Sequence, residues 1–195
     1  MSMEMSVQEE RERKAKSYKM LLWFAIISIV MVFAGLTSAF VISKSRPDWV
    51  SDLIVPKAFI ISTIVLLVSS VTFHLAKISI KKDSRGATTA YLLLTLALAI
   101  AFIYLQFSGF NELFANGFVP TGSTGTITVS FLYAFVIMHV AHLIGGTIAL
   151  LVVIYNHYKQ KYNATQTLGI ELGAMFWHFL DFLWLYLFLF FYFYK

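Results

Sequence analysis

LGAMFWHFLDFLWLYLFLFFYFY, residues 172–194, is a run of apolar and aromatic residues in which His178 and Asp181 are the only ionisable groups apart from tyrosines. About 20 such residues in helical form cross a hydrocarbon layer about 30 Å thick. A membrane strand would alternate apolar and polar side chains, and this run does not. It therefore reads as a transmembrane helix. Most of its aromatic residues read as lipid-facing bulk, with Tyr192, Tyr194 and Lys195 as an anchor at the outer interface.

Four further runs meet the same length test, at roughly 20–43, 53–75, 88–108 and 127–156. The first begins MLLWFAIISIVMVFAG at residue 20, too long and too late for a signal peptide, and no small-residue cleavage site follows it. The fourth is long enough to tilt or to project from the bilayer. The composition agrees: 59% of the 195 residues are hydrophobic and 13% charged, about half the charge of a soluble domain, and the mean hydropathy is +0.76. The fold class is all-α, an integral membrane bundle of five helices over 19–195. Residues 1–18 (MSMEMSVQEERERKAKSY) mix charges without a strong apolar face, which suggests a cytoplasmic segment that is frayed or lies on the surface as a helix. Residues 109–126 read as the richest loop, with Gly, Pro, Ser and Thr marking turns. No internal repeat is evident, which weakens a transporter built on inverted repeats.

Basic residues set the orientation. Arg11, Arg13, Lys14, Lys16 and Lys19 precede the first run; Lys77, Lys81, Lys82 and Arg85 lie in the second loop, and Lys159 and Lys161 in the fourth. The opposite side has only Lys44, Arg46, Lys57 and Lys195, and the third loop has none. This places the N-terminus inside and the C-terminus outside. The net charge of +5 is thus a topology signal and not a nucleic-acid patch. Cysteine is absent, which excludes disulfides, iron–sulfur clusters and thiolate metal sites.

Ionisable groups inside a span are expensive and usually face protein or water. Here His74 lies near the inner end of the second run and His139 and His142 near the middle of the fourth. Glu171, His178 and Asp181 lie on the inner half of the fifth. His139 and His142 are i,i+3 and share a helix face. Gly146, one turn beyond His142, lets a neighbouring helix approach closely. Glu171, His178 and Asp181 form one stripe at i, i+7 and i+10. Asp181 and His142 are deep enough to pair if their helices are neighbours. Three readings stay open: interhelical hydrogen bonding that holds the bundle together, a metal or haem site using H-x-x-H with a carboxylate, and a proton-conducting or proton-collecting role.

The segment ELGAMFWHFLDFLWLYLF (171–188) resembles the terminal-helix signature of cytochrome oxidase subunit III, E-x6-W-H-F-x-D-x-x-W-L-x-x-F/Y, with Glu171, Trp177, His178, Phe179, Asp181, Trp184 and Leu185 in register. MHVAHLIGGTIAL (138–150) is similar to that family's H-G-x-H-V-x-x-G helix through His139, His142 and Gly146. ISIVMVFAG (27–35) and LLVSSVTF (66–73) resemble its S-E-x-M-x-F-x-G and L-L-x-S-S/G stretches, in the family's order. Together the four segments cover roughly 17–194. Five-helix members of the family lack two N-terminal helices of seven-helix relatives, which keeps the N-terminus inside.

The resemblance implies a non-catalytic subunit of a respiratory haem–copper terminal oxidase in a bacterial inner membrane. It would bind subunit I as its main contact, with subunit II, other complex subunits and membrane lipids as further partners. It would stabilise subunit I, hold phospholipid at the shared surface, and support oxygen and proton access. No cofactor is expected in this chain, and haem and copper belong to the partner subunits. The residue counts agree with that division. A catalytic subunit of this type needs about six His, whereas five are present with His157 placed in a loop, and the copper-carrying subunit needs a thiolate pair. Polar candidates for lining and packing are His139, His142, Glu171, His178, Asp181, Trp177 and Trp184. Departures from the family pattern stand at Ile29 and Gly109, where acidic residues are expected, and at Lys77 and Ile78, where paired His are expected. Alternatives are an accessory membrane protein of nitric oxide reductase, a stand-alone membrane metal enzyme, and a small transporter.

Overall fold

A computed structural model describes residues 2–49, 56–120 and 125–194, with side chains from residue 8 onward. It contains five α-helices: α1 (Ser2–Ser43), α2 (Lys57–Lys81), α3 (Arg85–Ala115), α4 (Ile127–Tyr158) and α5 (Leu168–Tyr194). All five are long and apolar enough to cross a membrane, and no strand occurs among the described residues.

The helices outrun the apolar stretches that announce them. Residues 53–55, expected to open the second span, lie outside the described residues, and α2 starts behind Pro56. Proline in that position needs no backbone donor and holds a φ suited to the helix start. α3 continues to Ala115, seven residues into the stretch expected to be a loop, because Leu113 is buried and Phe110 packs against the core. α4 likewise takes in His157, expected in a loop, whose Nε2 is bonded to Thr89 Oγ1 of α3 at 2.9 Å. α2, α3 and α4 end alike, each with a left-handed residue just past the cap: Asp83 (φ 56°), Gly117 (φ 81°) and Gln160 (φ 57°). Each end carries the paired bonds of a Schellman turn, such as Ser84 N–H to Ser79 O and Asp83 N–H to Ile80 O, both 3.0 Å.

The N-terminal segment is neither frayed nor folded onto the surface as a separate helix. It is helical from Ser2 and continuous with the span. Strong helix formers without Gly or Pro, and an i,i+4 pair of Glu10 and Lys14 at 2.7 Å, favour that continuity. At 42 residues, α1 is about 63 Å long, so roughly half of it lies beyond a 30 Å hydrocarbon layer.

α2 packs on α3, α3 on α4, α4 on α5 and α5 back on α2, while α1 touches only α4 and α5. The result is a ring of four helices with α1 set against the α4–α5 seam. α1 is held by one stripe, Ile26, Ile29, Phe33, Thr37 and Phe40, spaced at three and four residues. Most of the rest of its span is exposed, including Phe24, Met31 and Ile42. Near the C-terminal end of α1 Phe40 meets Trp49, Phe131, Phe135, Phe190 and Phe191 with ring centroids 4.8–6.2 Å apart.

Candidate functional site

The polar residues of the spans converge on the inside of the ring, above all on the seam between α2 and α5. At the end of the seam where α5 begins, Glu171 joins three helices: Oε1 lies 2.9 Å from Lys81 Nζ of α2, and Oε2 lies 3.9 Å from Lys19 Nζ of α1. Thr167 Oγ1 also donates to Glu171 Oε1 at 3.1 Å, at the start of α5. Deeper, Ser70 Oγ and His178 Nδ1 are 2.6 Å apart, and the His178 ring lies 6.0 Å from that of His74. Trp177 Nε1–H donates to Ser69 Oγ at 3.1 Å, and Trp184 Nε1–H to Thr63 Oγ1 at 2.9 Å. Asp181 is 3% exposed, and neither carboxylate oxygen has a hydrogen-bond partner. The polar group that faces it is the Ser70 hydroxyl. The stripe Glu171, His178, Asp181 thus faces one helix, α2.

The two histidines of α4 part company. His139 is fully buried with neither ring nitrogen hydrogen-bonded. It stacks obliquely on Trp184 of α5, centroids 5.0 Å apart, and edge-on to Phe102 of α3 at 6.0 Å. His142 turns to α1, its ring 5.7 Å from Phe33, and its Nδ1 lies 2.7 Å from the Met138 carbonyl of its own helix. Residues i and i+3 differ by about 60° around a helix, enough to send one side chain into the ring and the other to its rim. The pair expected between His142 and Asp181 is not formed, although α4 and α5 are neighbours. Asp181 faces α2, on the other side of α5.

Gly146 lies where the spacing put it. A Cβ there would stand 2.6 Å from Leu180 Cδ1, so the glycine lets α5 sit close. The two positions where acidic residues were expected are filled by apolar contact. Ile29 belongs to the buried core, and the Phe59 ring lies flush against Gly109, where any Cβ would collide with it.

What the sequence pattern left unmarked is the hydroxyl face of α2. Ser62 accepts from Gln106 Nε2–H of α3 at 2.9 Å, and Thr72 and Thr95 hydroxyls are 2.8 Å apart. Together with Thr63, Ser69 and Ser70, these residues make α2 the polar hub of the ring. Their repeat at seven residues, Ser62 to Ser69 and Thr63 to Ser70, was the available signal. Outside the membrane, burial pushes the Tyr162 hydroxyl above its ordinary pKa, partly offset by its hydrogen bond with Asn156. Tyr162 packs on Gly169, and its carbonyl accepts from Arg85 Nη2–H at 3.2 Å. This ties the α4–α5 turn to α3. Among the described residues no group of three or more His, Cys, Asp or Glu side chains is arranged to hold a metal ion.

The family model described as cytochrome c oxidase subunit III matches residues 2–195. The chain is 33% identical over 126 residues to cytochrome bo(3) ubiquinol oxidase subunit 3 of Pseudomonas aeruginosa, covering 65% of this chain and 59% of that protein. It is 31% identical over 184 residues to cytochrome c oxidase subunit 3 of Damaliscus lunatus, covering 89% of this chain and 67% of that protein. With cytochrome bo(3) ubiquinol oxidase subunit 3 of Buchnera aphidicola it shares 28% identity over 169 residues, 84% of this chain and 87% of that protein.

Proposed function

Since the chain belongs to the cytochrome c oxidase subunit III family, we propose that it is the non-catalytic third subunit of a respiratory haem–copper oxidase in a bacterial inner membrane. The observation that carries this reading is the match of the family model along the whole described chain. In this role the subunit binds laterally to subunit I, stabilises it, and holds phospholipid at their shared surface. Haem and copper reside on the partner subunits. The N-terminus faces the cytoplasm and the C-terminus the outer side, a reading supported by the basic residues at the N-terminus and in the α2–α3 and α4–α5 turns. Most interior hydroxyl, amide and indole groups are hydrogen-bonded to one another across α2, α3 and α5, which suits packing rather than substrate handling. α1 leaves a broad apolar face uncovered, including Leu21, Phe24, Met31 and Ile42, wide enough for a helix of a larger membrane partner.

The test is purification from the native membrane in mild detergent. Co-migration of the chain with a haem-bearing complex, at one copy per complex by native mass measurement, is the expected result. Haem or metal retained by the isolated chain, with no such complex, would overturn the proposal.

A further inference from the structure

His178 and Asp181 are i,i+3 on α5, and both face α2 at the same residue. Ser70 Oγ is 2.6 Å from His178 Nδ1 and is also the polar group that faces the Asp181 carboxyl. On its other side the His178 ring meets His74, centroids 6.0 Å apart, and His74 is exposed on the inner half of α2. Lys77 lies one turn nearer the inner edge and within electrostatic reach of His178. The edge itself is marked by the Lys81–Glu171 pair. Polar groups therefore succeed one another from the inner boundary to Asp181, across about 15 Å for the ten residues from Glu171 to Asp181. Titratable groups on the other helices packed against α5 are engaged elsewhere. On α4, His139 lies between Trp184 and Phe102, and His142 is bonded to the Met138 carbonyl; on α1, Lys19 reaches only Glu171.

We propose that Asp181 is a proton-binding site, loaded from the inner face of the subunit through His178 and Ser70. A proton arriving at the outward ring nitrogen of His178, Nε2, makes the imidazolium. Its Nδ1 proton passes to Ser70 Oγ as the Ser70 hydroxyl proton passes to the Asp181 carboxylate. His178 is left neutral in its other tautomer, the serine is intact, and Asp181 carries one new O–H bond. One proton enters, none is lost, and no electron moves. Several features of the site serve this role. The carboxyl is buried with the Ser70 hydroxyl as its polar neighbour, and that hydroxyl, 2.6 Å from His178 Nδ1, stands between the two groups as donor and acceptor at once.

The inference rests on this chain's own geometry and not on its place in an oxidase, so absence of co-migration with a haem complex would leave it standing. The test is infrared spectroscopy of the full chain in lipid nanodiscs. A carboxylic-acid carbonyl band that vanishes in Asp181→Asn is expected. In deuterated buffer its isotope shift is expected to develop at least about tenfold more slowly in Ser70→Ala, and to return to the wild-type rate in Ser70→Thr. His74→Gln, an exposed change that leaves the packing intact, is expected to slow the shift as well, and decides the matter if Ser70→Ala does not fold. Either no band assignable to Asp181 at any pH at which the chain stays folded, or wild-type exchange in both Ser70→Ala and His74→Gln, would overturn the proposal.

Discussion

Replacing Gly109 with alanine adds one methyl group where α3 meets the Phe59 ring of α2. A Cβ at this position would stand 2.8 Å from Phe59 Cδ1, 3.1 Å from Cζ, and nearer still to Cε1. The ring cannot readily swing away. It is 2% exposed and set edge-on between Phe110 and Trp184, at centroid distances of 6.1 and 6.2 Å. Forcing a methyl group into a packed seam costs about 1–3 kcal/mol. Against this, alanine is better than glycine in a helix interior by roughly 0.5–1 kcal/mol. The net expectation for Gly109→Ala is a loss of about 0–2.5 kcal/mol, centred near 1. The control is Gly35→Ala on α1, where a Cβ would meet nothing within 4 Å, so the helix term acts alone and the variant is neutral or slightly stabilised. Equilibrium unfolding of the purified chain in mixed micelles measures both. Repeating Gly109→Ala in a Phe59→Leu background should recover most of the loss, because the colliding atoms are gone. Equal effects at Gly109 and Gly35, or a Gly109 cost that persists without the ring, would refute the reasoning.

Trp184→Phe removes the donor to Thr63 but leaves the Thr63 hydroxyl bonded to the Phe59 carbonyl at 2.7 Å. It should therefore cost only about 0.6–2 kcal/mol in the same unfolding assay, with Trp177→Phe costing a similar amount through Ser69. At the exposed end of α4, Gln160 holds a left-handed backbone (φ 57°) that costs a residue with a Cβ roughly 1 kcal/mol. Gln160→Gly should raise the unfolding midpoint by the equivalent of about that amount, and an unchanged midpoint would argue against the Schellman ending of that helix.

Five helices were legible because crossing a bilayer demands a continuous apolar length, and nothing in the packing alters that count. Helix ends were not, because a helix continues past its apolar stretch for as long as its backbone hydrogen bonds do. Lys77 and Lys81 remain helical in α2, and α3 runs on to bury Leu113. The stripe of Glu171, His178 and Asp181 was legible from helical period alone, since one face of α5 meets one neighbour. Its partner was not. Period places a residue on a face but does not say which helix stands opposite, so His142 pairs with Asp181 on spacing alone when in fact it turns to Phe33. The hydroxyls of α2 escaped for a further reason. A serine or threonine in a span can satisfy itself on the carbonyl three or four residues back, as Ser62, Thr63 and Ser69 do. Only the tertiary structure shows that the same oxygens also take up Gln106 and the two tryptophans.

The two lost acidic positions are best understood from what occupies them. Ile29 lies on the buried stripe of α1 beside Ile26 and Phe33 and belongs to the apolar core, where a carboxylate in its place would be buried. At Gly109 there is no room for any side chain, because the Phe59 ring takes the space. Restoring either acid would thus bury a charge in the apolar core or break the α2–α3 contact, which makes both departures parts of the packing rather than isolated gaps in a motif. Asp181 differs in its surroundings. It is more deeply buried than Ile29, yet Ser70 faces it and an imidazole stands behind that serine. Intramembrane acidity in this chain therefore survives only where α2 supplies a polar neighbour, and carboxylate chemistry inside the bundle belongs to the α2–α5 seam rather than to α1.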